Sequence, residues 1–229
     1  LLSRPLGVSE VLNPVPASGG EDGESLEQAR GNAPLTVLTL DRAVSITDYA
    51  NFARAFAGID KAHALWIPSG PARGVFLSLA GVAGTPVNEG EATHAALLGA
   101  LLAYGDPLMP LRMVSYVDAR FRCRLAVKVL AEYDAEVVLQ QVEAGLREHF
   151  GFARRDFGQT VSVDELAAVA HRIAGVQAVQ ITRLYRQGQP PGLVPRLYAA
   201  LPVASPSGLP QPAELLTLAA APVELEVLP

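Results

Sequence analysis

The chain has 229 residues, half of them hydrophobic, with 18 basic against 23 acidic side chains and a net charge of −5. That length supports one large or two small domains with a real core, and the acidic balance argues against a nucleic-acid binder, which carries a basic face. The single cysteine, Cys123, rules out an intrachain disulfide and fits a reducing compartment.

The opening residues, LLSRPLGVSEVLNP, lack the charged-then-apolar pattern of a signal peptide. No apolar run approaches the roughly 18 residues that cross a bilayer. The sequence does not begin with methionine, so it is expected to be part of something longer. Residues 1–40 read as a linker or the end of a preceding domain, because 12–35 are rich in proline, glycine, serine and acid. A short helix is expected over 24–30 and a short strand over 36–42.

Next comes a stretch that occurs twice. Residues 44–59 read VSITDYANFARAFAGI, and residues 161–176 read VSVDELAAVAHRIAGV, aligned without a gap at an offset of 117. An internal repeat decides architecture. Ser45 and Ser162 are placed as N-caps. Glu165 is expected to complete a capping box, with Asp48 as its weaker equivalent, and Val44/Tyr49 and Val161/Leu166 occupy staple positions. Tyr49, Phe52, Ala53 and Phe56, like Leu166, Val169, Ala170 and Ile173, form helical stripes. Gly58 and Gly175 fall where a left-handed C-terminal cap belongs, and strand-like runs follow at 59–67 and 176–184. The repeated unit is therefore helix, glycine, strand.

Between the copies, 74–81 (GVFLSLAG) is a second strand reached through the turn Pro68-Ser69-Gly70-Pro71. An alanine- and leucine-rich helix is expected over 91–104, stopped by Gly105, Asp106 and Pro107. Residues 112–133 carry the clearest strand signal. Phe121, Cys123, Leu125, Val127 and Val129 alternate with Arg120, Arg122, Arg124 and Lys128, which implies one buried and one wet face. Asp134 can cap a helix over 135–150 with Val138, Val142, Leu146 and Phe150 on its apolar side. After Arg186 the chain is proline-rich and cannot form a long helix; an extended arm is expected, with one short strand near 223–227. The predicted class is α+β: two small α/β units at 41–110 and 111–185 that contain the duplicated helix–Gly–strand element, flanked by the N-terminal linker and a Pro-rich extended arm at 186–229.

Candidate chemistry is sparse. His63, His94, His149 and His171 are not spaced as metal ligands, and His149 and His171 read as solvated surface. Cys123 lies on the apolar side of a strand and reads as a buried inert thiol. GxSxG, P-loop, GxGxxG and HExxH patterns are absent, so no catalytic, cofactor-binding or metal residue is nominated and no cofactor is expected. Arg120, Arg122 and Arg124 are the interface candidates. That stripe is either a solvated strand face or a docking face for an acidic partner, since arginine favours interfaces. The arm is either a free end or a segment that orders against a neighbouring subunit.

The run Gly19-Gly20-Glu21-Asp22, Glu24-Ser25-Leu26-Glu27-Gln28-Ala29-Arg30 and Ala33-Pro34 resembles a segment of the baseplate J-like proteins. So do Asp41-Arg42-Ala43-Val44, Asp48-Tyr49 and the alanine-rich helix ending in Gly58. Phe157-Gly158-Gln159-Thr160-Val161, with the helix that leads to Gly175-Val176, resembles that family's closing α/β unit. The resemblance covers roughly residues 10–185 and places the chain in the C-terminal portion of such a protein. The last 40 or so residues match loosely, around 213–217.

What the resemblance implies is a non-enzymatic wedge component of a contractile-tail phage or a phage-like contractile injection system. Such a component forms a ring around the spike or hub and links to the sheath. The implied partners are copies of itself, other wedge proteins, the sheath initiator and the spike, with no nucleic acid and no membrane insertion. The implied location is the cytoplasm during assembly and then the baseplate of the particle. The alternative reading is a small-molecule-binding regulatory domain, with ligand between the paired α/β units where the glycines allow close approach.

Overall fold

The computed structural model describes Leu26 and residues 42–69, 72–205 and 208–228. The expected strand at 36–42 and helix at 24–30 fall outside these residues, apart from Leu26, which is helical and exposed, and Arg42, which is not in a strand. The architecture is α+β, built on two main sheets, each with its own helices and core, and a third sheet of two short strands.

In the first unit, helix α1 (Ile46–Ala55) leads into an antiparallel hairpin, β1 (Ile59–Ser69) and β2 (Ala72–Gly81). Helix α2 (Ala92–Tyr104) then crosses to β3 (Leu111–Ser115), which pairs parallel with β2. Tyr49 and Ala53 of α1, and Leu97 and Leu101 of α2, bury against Val75, Leu77 and Leu79 of β2. The intervening Phe76, Ser78 and Ala80 are equally buried, so both faces of β2 are covered.

The second unit is organised on β4 (Val117–Val129). Phe121, Cys123, Leu125 and Val127 face α3 (Ala135–His149) and α4 (Val163–Ala170), with Val138, Val142, Leu146, Phe150, Leu166 and Val169 opposite them. Phe150 meets Phe121 edge to face at 5.4 Å between ring centroids, a favoured aromatic geometry. Strand β6 (Val176–Arg186) pairs antiparallel with one edge of β4. The two-residue strands β5 (Val161–Ser162) and β7 (Arg196–Leu197) pair beside α4.

The Pro-rich arm is more structured than its sequence suggests. It supplies β7, then β8 (Glu214–Leu218) and β9 (Glu224–Val227). The last two lie one after the other along the second edge of β4, both parallel to it. Strand β9 matches the expected short strand. Strand β8 escapes sequence reading because ELLTL is short and sits between prolines, and β4 supplies its partner from about a hundred residues upstream.

The repeat folds as expected in outline and differs in its caps. Asp48, not Glu165, completes the capping box: its Oδ2 accepts from the Ser45 backbone N–H at 2.7 Å, while Ser45 Oγ accepts from Asp48 N–H. Ser162 Oγ accepts from Glu165 N–H at 3.1 Å, but the Glu165 carboxylate turns to Arg155 instead. The staple holds in the second copy, where Val161 and Leu166 share the core. It does not hold in the first, where Val44 is 73% exposed. Gly58 and Gly175 are left-handed, with φ of +88° and +90°. Each is the turn residue immediately before its strand, whereas the helix caps themselves are Phe56 and His171.

Candidate interaction surface

Period-two alternation along β4 puts its arginines on the face opposite the core. Each finds a carboxylate in the same chain. Arg120 donates through Nε and Nη2 to Asp118 Oδ2 at 2.9 and 2.7 Å, and this hydrogen bond raises the guanidinium pKa. Arg122 and Arg183 flank Glu224 at 3.5 and 3.4 Å, and Arg124 meets Glu226 at 2.5 Å. The structure thus brings Arg120, Arg122 and Arg124 together on one partly exposed face and interleaves them with acids from β4 and β9. Sequence reasoning missed Glu224 and Glu226. Their signal was the Glu-Leu-Glu-Val alternation after Pro222, which has the period of a strand with one charged face.

Beneath this face Cys123 is 3% exposed, and burial pushes its thiol up to about 12. A thiol so shifted carries almost no thiolate at neutral pH and is inert.

The two units join at Tyr116, the residue between β3 and β4. Its N–H donates to the Leu79 carbonyl at 2.9 Å, and the next N–H, of Val117, donates to the Ala213 carbonyl at 2.9 Å. The Tyr116 hydroxyl donates to the Gly84 carbonyl at 2.8 Å, and its ring lies 6.4 Å from Phe152 and 5.9 Å from Phe157. Lys61 of β1 sits 4.8 Å over the Phe152 ring and 3.9 Å from Asp156. The segment GFARRDFGQT is therefore packed between the two sheets.

Arg155 anchors that segment from the other side. It is 4% exposed, with Nη1 at 3.0 Å from Glu165 Oε1 and Nη2 donating to the carbonyls of Gln159 and Thr160 at 3.1 and 2.7 Å. Burial lowers its pKa against the pull of Glu165. His149, expected to be solvated surface, instead touches the same Glu165 oxygen at 3.1 Å and stacks edge-on against Phe150. Its place on the last turn of α3, opposite the first turn of α4, brings it there.

Among the described residues, no three His, Cys, Asp or Glu side chains gather as a metal site would require. No described helix is long and apolar enough to cross a membrane. An open cleft of about 590 Å³ lies at the end of the first sheet, between Arg42, Tyr49, Arg73, Tyr104, Asp106 and Met109. The paired glycines do not line it. The space beside Gly58 is taken by Thr93, and that beside Gly175 by Tyr133 and Val138.

Two α+β units are thus joined through the β3–Tyr116–β4 segment, with an ion-paired outer face on the second. Residues 41–114 match the family model of the Baseplate J-like central domain. Among solved structures, 17 chains match. One is a chain of the cryo-EM structure of the anti-feeding prophage baseplate, 6-fold symmetrised. It is 14% identical with a TM-score of 0.56, over 95% of this chain and 47% of that one. This chain thus spans about half the length of that neighbour, and the likeness is one of fold. No curated protein matches the sequence.

Proposed function

We propose that this chain is a wedge component of the baseplate of a phage-like contractile particle. In this reading it assembles with copies of itself and other wedge proteins in a ring around the spike or hub, and contacts the sheath initiator. The observation that carries the reading is the match of residues 41–114 to the Baseplate J-like central domain, supported by a shared fold that extends over 95% of the chain. The architecture suits a load-bearing part. Two helix-backed sheets are coupled through one strand, so force applied to one unit reaches the other through backbone hydrogen bonds. We place the role in assembly rather than catalysis. The face of Arg120, Arg122 and Arg124 is proposed as a docking face, with particle assembly in the cytoplasm.

Affinity purification of the tagged full-length protein from its native host, read by mass spectrometry, tests this. Recovery of sheath, tube, spike and other wedge proteins is expected. Recovery of none of these, from cells that make intact particles, would overturn it.

A further inference from the structure

We infer that β9 is an exchangeable strand, and that its slot on β4, lined by Arg122, Arg124 and Arg183, accepts the Glu224–Val227 strand of a second copy of this chain. The inference goes beyond the baseplate reading and does not depend on it.

The edge of β4 is covered in two separate pieces. Strand β8 pairs with residues 117–121 and β9 with 124–127. The Ala219 N–H still donates to the Phe121 carbonyl of β4 at 2.9 Å, but residues 220–223 leave the edge and the stretch is held by α3 instead. Arg147 donates to the carbonyls of Ala219 at 3.3 Å and Ala221 at 2.8 Å, and Glu143 accepts from Val223 N–H at 3.3 Å. The arm is therefore anchored up to Val223 without help from β9, and a pivot at 223–224 moves the last strand alone.

What holds β9 is a four-residue parallel ladder, a Leu225 that packs at the margin of the core, and carboxylates set between arginines. These side chains are roughly a third exposed, and ion pairs at such exposure are weak and screened by salt. Release of β9 bares an unpaired strand edge beside three guanidinium groups. A bare edge of this kind is re-paired by any strand of matching pattern. Carboxylates at alternate residues match it, because alternate residues share a face. The sequence shown to fit is β9 itself, and the same strand from a second copy makes every contact that the native one makes, which is the condition for exchange between protomers. The tethered strand has an effective concentration of the order of millimolar, so dilute protein keeps its own strand and crowded protein exchanges it.

The test uses the full chain in two charge-swapped forms, Glu224→Arg/Glu226→Arg and Arg122→Glu/Arg124→Glu/Arg183→Glu. Each alone sets like charges across the slot and is expected to run as a monomer with fast hydrogen exchange at 224–228. Mixed in equal amounts, each strand finds a complementary slot only on the other chain. A complex of twice the monomer mass by light scattering, with slow exchange restored at 224–228, is expected. A mixture that stays two monomers overturns the proposal. Should either form fail to fold, co-expression of one copy carrying Ala126→Cys with a differently tagged copy carrying Glu226→Cys decides the matter. Those positions are register partners. A disulfide between the two tags is expected at high concentration, and its absence overturns the proposal.

Discussion

The backbone N–H of Ala213 donates to the buried hydroxyl oxygen of Ser78 at 2.9 Å, across 135 residues of sequence. This bond marks the place where β2 turns away from the long β3–Tyr116–β4 strand and β8 takes over beside it. Ser78 is fully buried, so its acceptor replaces water that cannot reach the Ala213 N–H. Ser78→Ala leaves that donor unsatisfied and is expected to cost about 1–3 kcal/mol. Urea denaturation of both proteins measures this, and an unchanged midpoint would refute the role given to the bond.

The left-handed glycines are expected to differ in tolerance. Valine at either position forces a β-branched residue to positive φ, at a cost of about 1 kcal/mol or more. At position 175 the added Cβ would also lie 2.7 Å from the Tyr133 ring and 3.0 Å from Val138, whereas at 58 it meets the Thr93 methyl at 3.0 Å. Gly175→Val should therefore melt lower than Gly58→Val. The opposite order in thermal melts would contradict the crowding argument.

Arg155 holds Glu165 and two loop carbonyls from a site closed to water. Arg155→Ala is expected to destabilise the protein by about 3 kcal/mol, the scale for breaking a buried pair. Arg155→Lys should recover little, because one ammonium cannot replace the fork that serves three acceptors. Guanidinium unfolding of the three proteins checks this, and full recovery by lysine would contradict the assigned geometry.

Acid should weaken the arm. Burial alone would raise the Glu214 carboxyl, but hydrogen bonds from Arg186 and from the Ala200 N–H outweigh it and hold the pKa below its ordinary value. A lowered folded pKa contributes stability that is present above the unfolded value and is lost as pH falls through the folded one. The melting temperature should therefore drop below about pH 4.5, and Glu214→Gln should flatten that drop. A variant with the same acid dependence as wild type would remove Glu214 as a cause.

Much of this was legible in sequence because the signals were local. Ser45, Ser162 and Asp134 cap the helices they precede, and the alternation from Arg120 to Leu125 sorts buried from wet as its period requires, until Ala126 is buried on the other face as well. What was not legible depended on distant partners. Glu165 looked like a better box-former than Asp48, but Arg155 and His149 arrive from another segment and take its carboxylate. Strand β8 forms because β4 offers an edge, and the arginine stripe is interleaved with acids because β9 returns about a hundred residues later. Single-sequence periodicity contains no term for either event.

We propose that this chain belongs to the baseplate of a contractile particle, and its position in that particle is the most direct test. Particles purified from the native host would be labelled with antibody to this protein and viewed by immunogold electron microscopy. Gold confined to the baseplate end of the sheath is the expected result. Intact particles with no label, or label spread evenly along the sheath, would contradict it.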